Sequence, residues 1–70
     1  MTLVEVGSLI KQRRVALGIT QQHLSVVSEV AIVTIKMLEL GKGNPSFQTL
    51  EKLAETLGLE LSMHVRTIRR

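Results

Sequence analysis

Nine basic and six acidic side chains and two histidines are the ionisable groups this 70-residue chain offers to chemistry, and it contains no cysteine. His23 and His64 lie far apart with no carboxylate cluster beside either, so they give neither a metal-ligand set nor a base for nucleophilic catalysis. The glycines of Gly41-Lys42-Gly43-Asn44-Pro45 do not match a nucleotide-binding P-loop. No catalytic group, metal site or cofactor is expected. What remains is cation chemistry directed at phosphate. In that loop, backbone amides and the ammonium of Lys42, with Asn44 beside it, could hold a phosphate, although an ordinary solvated turn has the same composition. Lys11 and Arg13 read as a solvated helix face, and Arg69 and Arg70 as a basic end open to phosphate. The net charge of +3 suits a polyanion. With Phe47 as the only aromatic residue, stacking on single-stranded bases is hard to build, which makes duplex DNA the better match.

The elements that must position these cations have to fit in one small domain. A core of this size is marginal alone, and such chains recruit a disulfide, a metal or a second copy. Without cysteine or clustered ligands, self-association is the remaining device. No apolar run approaches the roughly 18 to 20 residues that span a bilayer, and MTLVEVGSL lacks a basic region ahead of its apolar residues. A soluble, cytoplasmic protein without membrane contact is expected.

Helical spacing of Val6, Leu9, Ile10 and Leu17 predicts a first helix over about Glu5 to Leu17, stopped by Gly18. Thr20 is placed to cap a second helix, Gln21 to about Ser28, with Leu24 and either Val27 or Ser28 facing inward. A third, roughly Ile32 to Leu40, buries Ile35 and Leu38 and ends at Gly41. Ser46 caps a fourth, in which Phe47, Leu50, Leu53, Ala54 and Leu57 share one face and Gly58 ends the run. Two short helices joined by a tight turn, with a basic glycine-containing loop behind them, make a helix-turn-helix, whose second helix fits a DNA major groove. After Gly58 the pattern alternates. Leu59, Leu61, Met63 and Val65 fall on one side and Glu60, Ser62, His64 and Arg66 on the other, as in a strand. Its backbone groups need a mate, either Thr2 to Val6 of the same chain or, as preferred here, the equivalent strand of a second copy. The expected division is 1–58 for DNA binding, 59–66 for dimerisation and 67–70 as a basic tail.

Arg14, Gly18, Ile19-Thr20-Gln21, Leu24, Val30, Thr34-Ile35, Glu39, Gly41, Pro45, Leu50, Leu53, Ala54 and Leu57-Gly58 together resemble the phage-repressor and Cro-like helix-turn-helix family, over about Leu9 to Leu59. The resemblance implies a mainly α fold of four helices, here with one C-terminal strand pairing across a homodimer. It also implies a structural ion pair between Arg14 and Glu39 rather than a DNA contact for Arg14. Gln21, at the start of the second helix, would meet a phosphate. Ala31, Ile32, Val33, Lys36 and Met37 would face bases, with Thr34 at a phosphate. Several of these are apolar where hydrogen-bonding side chains are usual, so Ile32 and Val33 would meet thymine methyl groups while Lys36 reaches guanine O6 or N7. The alternative is that Ile32 and Val33 pack against protein. Glu29 replaces the usual turn glycine and Ala31 the usual Ser or Thr cap, departures that cost about 1 kcal/mol each.

The tail LELSMHV is similar to that of HipB-type antitoxins, which implies a kinase-like toxin as a partner. The expected function is thus a dimeric repressor bound to a double-stranded DNA operator. Its rival is a protein-interaction module that keeps the fold but docks a partner on Ile32, Val33 and Met37.

Overall fold

The computed structural model describes residues 1–67 and contains four helices, α1 (Leu3–Ala16), α2 (Gln21–Ser28), α3 (Ile32–Glu39) and α4 (Phe47–Leu57). Local chemistry sets their ends. The Thr2 hydroxyl accepts from the Glu5 amide at 3.2 Å while the Glu5 carboxylate accepts from the Thr2 amide at 2.9 Å, a reciprocal cap that starts α1 two residues earlier than the apolar spacing predicts. Thr20 and Ser46 cap α2 and α4 by accepting from His23 and Thr49 at 3.0 and 3.1 Å. α3 starts at Ala31 without a side-chain cap. Gly58, left-handed at φ 69°, ends α4, and the Leu59 amide closes the turn on the Ala54 carbonyl at 2.8 Å.

Ile10, Leu24, Val30, Ile35, Leu38, Leu53, Ala54 and Leu57 form the core, with all four helices contributing. α1 lies across α3 and α4, and α2 packs on both of them. Gly7 makes the α1 and α3 crossing close, because a Cβ there would overlap the Leu38 carbonyl oxygen. Three expected core positions are exposed. Leu9 falls to a flank of α1 once Gly7 and Ile10 face inward, Leu17 shares the face of Ile10 but is the C-cap residue past the last turn of the helix, and Phe47 is 66% exposed because the first turn of α4 projects past the core. Between the two residues offered for α2, Ser28 is the buried one and Val27 is exposed.

Residues 59–67 form no helix and no strand ladder among the described residues. Thr2 caps α1, and Leu3 to Val6 are its first turn, so this segment is not the strand that could pair with the tail inside the chain. Leu59 is half-buried against the core, whereas Met63 and Val65 are each 98% exposed. Arg69 and Arg70 lie outside the described residues.

Candidate nucleic-acid interface

The α2 and α3 turn is held by two serines. Ser28 Oγ donates to the Leu24 carbonyl at 2.6 Å and accepts from the Val30 amide at 3.3 Å, while Ser25 Oγ donates to the Val30 carbonyl at 2.7 Å. Between Ser28 and Val30, Glu29 sits at φ 61°, the left-handed conformation that favours glycine. Val30 is buried, so the turn is fixed to the core as well as within itself.

α3 is anchored at its other end by an ion pair. Arg14 Nε donates to Glu39 Oε2 at 2.7 Å and Nη2 to Oε1 at 2.9 Å, while Nη1 donates to the Ile19 carbonyl at 2.9 Å. The two side chains are 12% and 4% exposed. Burial alone would raise the Glu39 carboxyl, but hydrogen bonds from Arg14 and Gln21, with the charges of Arg14 and Lys11, outweigh it and hold Glu39 below the ordinary value. The hydrogen bond to Glu39 likewise raises Arg14 against its own burial. Gln21 Nε2 donates to Glu39 Oε1 at 3.1 Å, so the side chain assigned to a phosphate is turned inward to this cluster. The outward feature at Gln21 is the start of α2 itself, where the Thr20 hydroxyl takes the His23 amide and the Gln21 and Gln22 amides of the first turn have no intrahelical acceptor.

With Ile35 and Leu38 buried, α3 turns Val33, Lys36 and Met37 outward, followed by Leu40 just past its end; Val33 is 67% and Met37 39% exposed. Ala31 is exposed at the helix start, and Ile32 and Thr34 are half-buried at its edges. Of the proposed base-facing positions, Ala31, Val33, Lys36 and Met37 are therefore on the open surface.

The loop after α3 differs from the expected phosphate cradle. The Gly41 amide donates to the Leu38 carbonyl at 2.8 Å and the Lys42 amide to the Met37 carbonyl at 2.9 Å, so both are used in closing α3. What the loop presents is the Lys42 side chain and Asn44, which with Val33, Thr34, Met37 and Pro45 line a shallow cleft of about 180 Å³.

Arg13 is also not a solvated residue of a helix face. Its Nε donates to the Leu57 carbonyl at 2.7 Å and ties α1 to the end of α4. Composition gives no sign of that role. Gly7 did carry a signal, a lone glycine in a helical run, which marks close backbone approach.

On the far side, Val6, Leu9, Leu50, Leu59 and Leu61 line an apolar groove between α1, α4 and the tail. Ser62 Oγ and His64 Nε2 lie 3.0 Å apart, as alternate residues of an extended chain should. No helix of the described residues is long and apolar enough to cross a membrane.

A helix-turn-helix family model matches residues 10–63. The comparison with curated proteins found no match.

Proposed function

The chain belongs to the helix-turn-helix family of phage-repressor and Cro-like DNA-binding transcription regulators, and on that premise we propose that it is a dimeric, sequence-specific repressor acting by occupying a pseudo-palindromic operator. The observation that carries this reading is the outward stripe of α3, with Lys36 at its centre and Lys42 and the start of α2 flanking it. A helix held at both ends, by the serine turn and by Glu39, keeps that stripe in one orientation for a major groove. In a two-fold dimer the two α3 helices would stand about 34 Å apart, one turn of DNA.

Residues 1–58 would bind the operator and 59–66 would join two copies. Leu61, Met63 and Val65 support this division, since they are exposed in one chain while their alternation is that of a strand with one covered face. The similarity of LELSMHV to HipB-type antitoxins extends the proposal to autorepression with a kinase-like toxin as co-repressor, in the cytoplasm at the nucleoid.

Titration into labelled DNA from upstream of the protein's own gene, with unrelated duplex as competitor, tests the reading. Saturable binding that survives competitor supports a specific repressor. Binding that unrelated duplex competes away and that vanishes entirely at moderate salt marks non-specific phosphate contact by a degenerate reading helix, and turns the reading toward a module that docks protein on Ile32, Val33 and Met37.

A further inference from the structure

The exposed stripe of α3 carries Val33, Lys36, Met37 and, just past the helix, Leu40, with Ala31 exposed at the start. It includes a single hydrogen-bonding side chain, the Lys36 ammonium, and no amide, guanidinium or carboxylate. Thr34, the nearest hydroxyl, is half-buried at the edge. Base pairs are ordinarily told apart in the major groove by patterns of donors and acceptors, which need paired polar groups on the protein. One ammonium supplies little of that code. The groove has one apolar landmark, the methyl group on pyrimidine C5, and an apolar side chain meets it without leaving any polar group unpaired.

Resting on the DNA-binding reading above, we propose that this chain reads its operator through the C5-methyl groups of pyrimidines, whichever base carries them, with Val33 and Met37 as the residues that contact the methyl. Met37 suits the role because its flexible thioether adapts to small differences in position. Val33 stands one turn before it, beside the cleft that continues to Lys42 and Asn44. Flanking cations place the apolar pair against the bases, since phosphate contacts fix register without carrying sequence. Thymine and 5-methylcytosine present their methyl at the same place in the groove, so both are ligands of this face, while uracil and cytosine are not.

The test uses the full chain and a duplex that it selects from a randomised library. That duplex is then remade with uracil for each thymine in the footprint, with 5-methylcytosine paired to guanine at the same positions, and with plain cytosine there. Affinity should fall roughly fourfold for each contacted methyl removed, return with 5-methylcytosine and stay low with cytosine. Val33→Ala, at an exposed position that leaves the fold intact, should reduce the difference between thymine and uracil. Equal affinity for the thymine and uracil duplexes, or loss with 5-methylcytosine as great as with cytosine, overturns the methyl reading and leaves DNA binding standing. If no duplex is enriched, the DNA-binding reading falls and this one with it.

Discussion

At the scale of single residues, Glu39 has the largest part, because it closes three contacts from α1 and α2 onto the end of α3. Buried ion pairs add little net stability, yet removing one partner strands a desolvated charge. Glu39→Ala should therefore cost about 3 to 5 kcal/mol, read by urea unfolding. The same carboxylate gives a pH signature. Its folded-state value lies below the ordinary 4.5, so its contribution is present above that value and is lost as pH falls through the lower folded value. Glu39→Gln should flatten this acid-side decline in a plot of stability against pH. Lys36 is the contrasting case. It is exposed and makes no hydrogen bond or ion pair among the described residues, so Lys36→Ala should leave the unfolding midpoint unchanged while weakening and relaxing operator recognition, measured across a set of single-base operator variants; unaltered recognition would leave Lys36 no part in base reading.

At the scale of elements, the turn between α2 and α3 holds strain that a substitution can release. Glu29 sits in the left-handed region, and Glu29→Gly should raise stability by up to about 1 kcal/mol in thermal or urea unfolding. The four helices were legible in the sequence because caps and glycines mark most of their ends: Thr20 and Ser46 start α2 and α4, and Gly58 stops α4. α1 begins two residues before the start that apolar spacing predicts because its cap is set by Thr2 and Glu5, polar residues outside the apolar period. The exposure of Leu9 and Phe47, against the expectation from spacing, has a related cause. Periodicity shows which residues share a face of a helix, but not how far a neighbouring helix extends to cover it. Within the interface, apolar replacements on α3 were visible as residue types. The inward turn of Gln21 and the use of the Gly41 and Lys42 amides were not, since both depend on acceptors brought close only by folding.

At the scale of the whole molecule, the chain packs a small aliphatic core and leaves Leu9, Phe47, Leu61, Met63 and Val65 in water. Exposed apolar side chains of this kind, several of them in the tail, fit self-association through residues other than the α3 stripe. Truncation after Gly58 should give monomers by sedimentation or light scattering, and a dimer of the truncated chain would assign association to another surface. The most direct test of DNA binding by the α3 face is the salt dependence of duplex affinity for the wild-type chain and for Lys42→Ala, each measured over a range of salt concentration. Log affinity should fall steeply and linearly with log salt, with a slope reduced by about one in the variant, as for loss of one phosphate contact. A flat salt dependence shared by both proteins would contradict a DNA interface on this face.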